Sequence, residues 1–469
     1  MMPMKQKGAS MVNHSQAFDE IRAVIGDRLS LKDADRDQHG QSETWHRAPP
    51  PDAVAWPETT DEVSAIMAIC NRLGCPVIGW GTGTSLEGHA LAVQGGLVLD
   101  LMRMNRVLDI RPEDMLAVIQ PGVTREALNT DLRATGLFFP IDPGANASLG
   151  GMAATRASGT MAVRYGTMRD AVLALEVVLA DGAVIRTGTR AAKSSAGYDL
   201  TALMVGSEGT LGIITELTLR LHGQPEDVAA AVCAFASMED AVTCVATTMQ
   251  VGIPMARIEF MDPIAMRAVN LHSGTDYPEQ PHLMIEFNGS AEAVRADAEA
   301  FGEIAAEHGG QGFQWASSPE DRKKLWEARH ASYWATLKLR PGATGVVTDV
   351  CVPMSELPGA VSAAAADMAA AGILGDIVGH VGDGNFHTLL LIEPGNAEEL
   401  ARAKEVANAM ARRAIAVGGT VSGEHGIGIG KRGLMAEQHG PAWAVMGAIK
   451  AALDPNNILN PGKMVPDRN

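Results

Sequence analysis

The segment VIGWGTGTSLEGH (77–89) narrows the fold more than any other part of this sequence. It begins as an apolar run of strand character and passes directly into closely spaced glycines, the pattern of a backbone built to approach a phosphate. The dinucleotide fingerprint of a Rossmann unit requires a third glycine three residues after the second, opening a helix. Leu86 holds that position, and HALAVQGGLVLDL beyond it lacks helical periodicity. No lysine completes a P-loop either. The remaining route is a concave nest of N–H groups from Gly81, Thr82, Gly83, Thr84 and Ser85, with hydroxyl groups as further donors. Taken alone, a structural turn without a ligand explains the loop equally well.

Two later segments shift that balance. PIDPGANASLGGMAATRASGTMAVRYGTMRD (140–170) is rich in glycine, alanine and hydroxyl residues and poor in large side chains. Such a stretch packs poorly but lets backbone lie close to a flat ligand. VGSEGTLGIIT (205–215) adds another glycine turn ahead of a strand.

Around these segments the pattern alternates between strands and helices. TTDEVSAIMAICNRLG (59–74) predicts a helix with a Thr59/Glu62 capping box and an inward face of Val63, Ile66, Met67 and Cys70. ALEVVLADGAVIRTG (174–188) predicts a hairpin turning on Asp181-Gly182. The polar HGQPED (222–227) is the expected domain boundary, followed by strand–helix–strand units that imply an antiparallel sheet covered by helices.

GHVGDGNFH (379–387) places two histidines around a tight turn. With Asp383-Gly384 as a two-residue loop, His380 and His387 face each other across the ladder, ~4.5–5.5 Å apart at Cβ and able to share a metal ion. Glu424 and His425 stand side by side in SGEHG. In extended backbone, one of them joins the histidines while the other points away. Two imidazoles and a carboxylate with open positions suit a divalent ion such as zinc or manganese. Satisfied core histidines and a solvated glycine loop are the plainer alternatives.

PVIGWGTGTSLEG, PGANASLGGMAATRASG, RYGTMRD and VGSEGTLGIIT together resemble the FAD-binding domain of the vanillyl-alcohol-oxidase superfamily, also called the p-cresol-methylhydroxylase type. The resemblance implies an α+β fold with a two-part FAD-binding domain and a cap domain whose antiparallel sheet is covered by helices. The expected divisions are a leader and helix (1–44), an FAD-binding domain (45–225), a cap (226–453) and a tail returning to the FAD domain (454–469). By the same carry-over, Gly79, Trp80, Gly81, Thr82, Gly83, Thr84 and Ser85 hold the pyrophosphate. Pro143, Gly144, Ser148, Gly151, Ser158, Gly166, Glu208, Ile214 and Asn460 line the rest of the cofactor. Threonine and serine stand where some relatives carry a flavin-linking histidine, and His89 falls beyond it, so the FAD is expected to be non-covalent.

The histidine hairpin and GEHG also look like the C-terminal domain of the branch containing FAD-dependent D-lactate, glycolate and D-2-hydroxyglutarate dehydrogenases. That likeness implies His380, His387 and Glu424 as metal ligands, His425 as base and Arg329 as the clamp for a substrate carboxylate. Thr348 stands near where the hydroxyglutarate enzymes carry a lysine for a second carboxylate, which favours a monocarboxylic substrate. A metal-dependent hydrolase and a non-catalytic flavin-holding subunit are the rival readings.

The net charge of −17 argues against nucleic acid as a partner. None of the five cysteines forms a C-x-x-C pair, so neither an iron–sulfur cluster nor a c-type haem is encoded. Electrons must then leave to a separate acceptor: cytochrome c, a quinone or an electron-transfer flavoprotein. No apolar signal-peptide core is visible, which leads to an expectation of a cytoplasmic protein, with peripheral membrane attachment and a homodimer left open.

Overall fold

The structure, a computed structural model, describes residues 14–316 and 318–467; most of the polar leader lies outside them. Strands β1 (Leu29–Ser30), β2 (Ala53–Ala55), β3 (Val77–Trp80) and β4 (Leu97–Asp100) form a sheet in the order β1-β2-β4-β3, with β2, β4 and β3 parallel. Parallel strands covered on both faces need unbroken apolar runs, which VIGW and LVLD provide. The crossover from β2 to β3 is the helix Thr60–Leu73, opened by the Thr59 side chain on Glu62 N and closed at Gly74, whose φ is +65°. It buries the predicted face of Val63, Ile66, Met67 and Cys70. Only half of the capping box forms, because the Glu62 carboxylate accepts from Glu58 N and pairs with Arg28.

The second sheet is antiparallel, built from β5 (Val107–Arg111), β6 (Leu116–Ile119), β8 (Val172–Val178), β9 (Val184–Gly188) and β10 (Ile213–Arg220) in the order β5-β6-β10-β8-β9. The β8–β9 turn is wider than predicted. Leu179 N donates to Ala183 O at 2.9 Å, so Ala180 joins Asp181 and Gly182 in the loop. At the expected boundary, β7 (Leu137–Phe138) pairs with β11 (His222–Gly223).

The third sheet starts immediately afterwards. Strands β12 (Asp227–Ala234), β13 (Met255–Met261), β14 (His282–Gly289), β15 (Gln311–Ala316), β16 (Thr344–Val347), β18 (Gly375–Gly379) and β19 (Asn385–Ile392) run in the order β15-β12-β14-β13-β18-β19-β16, and β17 (Val350–Cys351) also pairs with β19. Every pairing is antiparallel. Helices Met238–Val251, Ala291–Glu307, Leu357–Ala371 and Ala397–Ala416 bury one face in a core shared with these strands. Ser237, Ser290 and Asn396 cap three of them through their side chains, each such cap contributing about 1 kcal/mol.

The C-terminal segment runs back to the first sheet. Val77 N donates to Ile458 O at 2.7 Å and Asn460 N to Val77 O at 2.8 Å, with Ile458 and Leu459 buried in the core around β2, β3 and β4. Among the described residues, no helix is long and apolar enough to cross a membrane.

Candidate active site

A cavity of about 620 Å³ is lined by the glycine segments, the third sheet and the C-terminal segment together. Gly79, Trp80, Gly81, Thr82, Gly83, Thr84 and Ser85 line it where β3 ends. Pro143, Gly144, Ser148 and Gly151 follow, then Glu208, Ile214 and Asn460. Glycine fits closely at two of these positions. A Cβ on Gly81 would lie 2.1 Å from Ser148 Oγ, and Gly83 combines a φ of +72° with a Cβ position 2.5 Å from the Trp80 ring. Two expected cofactor residues do not line the cavity themselves. Gly166 closes the short helix Ala162–Tyr165 against Asp170, and Ser158 donates to Glu424 Oε2 at 2.6 Å.

The histidine hairpin departs from its predicted register. Val378, not His380, pairs with His387, because residues 381–383 wind into a 3-10 turn closed by Gly384 at φ +75°. The slip is two residues, which keeps the same face turned inward. His380 sits at the start of the turn, and its ring centroid is 5.4 Å from that of His387.

Glu424 completes the group. Its Oε1 lies 3.1 Å from His380 Nε2 and 3.2 Å from His387 Nε2. The other nitrogen of each ring is fixed from behind. His380 Nδ1 meets Glu259 Oε1 at 2.7 Å, and His387 Nδ1 meets the Thr348 carbonyl at 3.2 Å. Carboxylate or carbonyl behind Nδ1, with Nε2 converging forward, is how proteins orient histidines on a metal. His387 Nε2 is buried, and its 3.2 Å approach to Glu424 Oε1 is not aligned as a hydrogen bond. Burial opposes protonation of His380, yet Glu259 and Glu424 hold its pKa well above the usual value. Their negative charge favours a cation at this point. The donor set therefore fits a divalent metal.

His425 does not point away from Glu424 as alternation suggests. It lines the same cavity, stacks on His387 at 4.7 Å between centroids, and has Nε2 3.8 Å from Glu424 Oε1. The loop here is not extended strand, and Gly426 has a φ of +77°. Burial holds the His425 imidazole down to about 4, against the opposing pull of Asp349.

Arg329 lines the cavity but is already engaged. Its Nε and Nη2 lie 3.0 and 2.7 Å from Glu259 Oε2, and Nη1 donates to Ser332 Oγ at 3.3 Å. Thr348 is buried with its hydroxyl 3.0 Å from that of Thr388, which lines the cavity.

Three organising residues escape sequence reasoning. Glu259, fully buried, links Arg329 to His380. Asp349 accepts from Ser422 Oγ, Asn385 Nδ2 and the backbone N–H groups of Glu424 and His425. Lys431 lies 3.4 Å from Asp349 Oδ2 and 3.2 Å from Glu87 Oε1, joining the loop that bears Glu424 and His425 to the first glycine loop. For Glu259 and Asp349 the only advance signal is a charge among apolar residues, in IEFM (258–261) and VVTDVCV (346–352); Lys431 gives none.

Residues 224–464 match the C-terminal domain of FAD linked oxidases, and residues 51–188 match the FAD binding domain. The chain belongs to the FAD-linked oxidase family. Its relatives include a probable mitochondrial D-lactate dehydrogenase of Danio rerio, 50% identical over 96% of this chain and 92% of the relative. The mitochondrial D-lactate dehydrogenase [cytochrome] of Arabidopsis thaliana is 42% identical over 96% of this chain and 80% of that protein. Glycolate oxidase subunit GlcD of Bacillus subtilis is 37% identical over 88% and 89%. Among solved structures, p-cresol methylhydroxylase with substrate bound superposes with a TM-score of 0.80 at 19% identity and 98% coverage of both chains, which shows a common fold. This FAD-linked oxidase is an enzyme, an oxidoreductase with the p-cresol-methylhydroxylase type of architecture.

The residues present fit FAD in this oxidase. Gly79, Gly81, Gly83, Gly144, Gly150 and Gly151 put backbone on the cavity wall, and Ser148 Oγ is buried there without a hydrogen-bond partner. A buried hydroxyl of that kind costs about 1–3 kcal/mol unless a ligand satisfies it.

Proposed function

We propose that this oxidase converts a D-2-hydroxy acid, D-lactate foremost, to the 2-oxo acid and passes the electrons to a separate acceptor. The observation that carries this is the meeting of His380, His387, Glu424 and His425 in one cavity with the FAD-binding segments. The relatives named as D-lactate dehydrogenases point the same way.

FAD held without a covalent link along residues 79–85, 143–151 and 208–214 supplies the hydride acceptor. A divalent ion, zinc or manganese, on His380, His387 and Glu424 supplies positive charge that makes a nearby hydroxyl more acidic. Arg329 orients the substrate carboxylate, its planar fork held in place by Glu259. His425, neutral in its buried position, takes the C2 hydroxyl proton as the C2–H bond breaks. Val347, Val378 and Leu389 give the cavity an apolar wall suited to a short aliphatic substrate chain.

The purified protein is expected to carry flavin absorbance that D-lactate bleaches without oxygen and L-lactate leaves unchanged. Repeating the titration with glycolate and D-2-hydroxyglutarate ranks the alternatives. A colourless protein would instead support the hydrolase reading, and an unbleached yellow one the flavin-holding subunit. Replacing His380 by alanine is expected to remove metal and turnover together. Elemental analysis beside the rate tests this, and full activity in a metal-free variant would dismiss the metal.

A further inference from the structure

We infer that Glu208 is a positioning residue for the catalytic loop: its carboxylate docks the segment bearing Glu424 and His425 against the cofactor-binding half and acts on turnover through His425. This rests on His425 being the base, as proposed above. The family resemblance places Glu208 among the cofactor contacts, but both of its carboxylate oxygens are already taken. Oε1 accepts from Ile427 N at 2.7 Å and Oε2 from Gly428 N at 2.9 Å. These are the second and third residues after His425.

The approach is close enough to dictate glycine on the loop. A Cβ on Gly426 would lie 2.6 Å from His89 Nε2 and 2.7 Å from Glu208 Oε1, and one on Gly428 would lie 2.1 Å from the Glu87 carbonyl. Glu208 itself adopts a φ of +54°, a conformation costing of order 1–3 kcal/mol that persists only where neighbours enforce it. Its N–H donates to Ala154 O at 2.8 Å, and its carbonyl accepts from Asn460 Nδ2 at 2.7 Å. Burial would raise its carboxyl, but His89 and the two loop N–H groups keep it below the usual range. A charged acceptor on two backbone donors is among the stronger hydrogen-bonding arrangements available. Glu208 is therefore anchored to the FAD-binding half on one side and grips the loop on the other.

A double-mutant cycle with flavin quantification separates this role from its rivals. Glu208→Ala is expected to keep its FAD and lose about 10–100-fold in kcat, with a smaller change in KM. In a His425→Ala background the same substitution should cost almost nothing more, because the base it positions is gone. Costs that multiply would overturn the proposal while leaving His425 as base. FAD lost in proportion to activity would overturn it in favour of direct cofactor binding. Near-normal turnover of His425→Ala alone would remove the base and the positioning role together. Glu208→Gln, which keeps one acceptor, carries the cycle if the alanine variant does not fold, and an intermediate loss is expected for it.

Discussion

Replacing His425 by alanine is expected to lower turnover by about two to four orders of magnitude while FAD stays bound. The ring is buried and neutral, stands 3.8 Å from Glu424 and stacks on His387, so it is the one uncommitted imidazole among the three at this site. His380 and His387 each spend Nδ1 on a neighbour and aim Nε2 at Glu424, whereas His425 Nδ1 is buried without a partner. Truncation should leave the loop in place. Its anchors are backbone N–H groups on Asp349 and Glu208, none of which involves the imidazole. The loss should therefore fall on kcat, with flavin stoichiometry and metal content unchanged. Steady-state rates with D-lactate and a dye acceptor, beside the flavin-to-protein ratio, measure it. Turnover near that of the unmodified enzyme would exclude His425 from proton transfer.

The parts of this molecule that local chemistry governs are readable in its sequence. Thr59 and Ser237 open helices because their oxygens satisfy an N–H of the first turn, a short-range requirement visible as a residue type. The glycine segments announce a ligand-facing backbone because side chains there would collide, as the Gly81–Ser148 approach shows. His380 and His387 come together as expected although the register does not. A two-residue slip preserves the face of a strand, so the chemical conclusion survives a geometric error.

What stayed hidden depends on chain closure. Glu259 and His380 are 121 residues apart, and Asp349 and Glu424 are 75 apart. Neither contact leaves a spacing or a period in the sequence. Arg329, the expected clamp, is held by Glu259, a contact between the helix Pro319–His330 and β13 across 70 residues of sequence. Alternation likewise misplaced His425, because strand rules do not govern a loop with glycines at positive φ.

Asp349 makes the second large-effect test. Its carboxylate holds the Ser422 hydroxyl, the Asn385 amide and the N–H groups of Glu424 and His425, and it is only 1% exposed. Burial alone would raise its pKa; the Lys431 ammonium leads the interactions that outweigh that and hold it well below the usual carboxylate range. Asp349→Ala strands these donors and leaves the buried Lys431 ammonium with Glu87 as its remaining charged partner. Removing one member of a buried charged group typically costs about 3–5 kcal/mol, equivalent to a fall of roughly 6–20 °C in unfolding midpoint for a unit of this size. Asp349→Asn, which keeps one acceptor oxygen but loses the charge, should fall between the two. Metal content should drop alongside stability, because the N–H groups that position Glu424 and His425 are the ones released. A midpoint shift of a degree or two with full metal retention would mean that the Glu208 and Glu87 contacts alone hold the loop. Asp349 would then be a bystander to the site, and the charge network around Lys431 would owe its stability to Glu87.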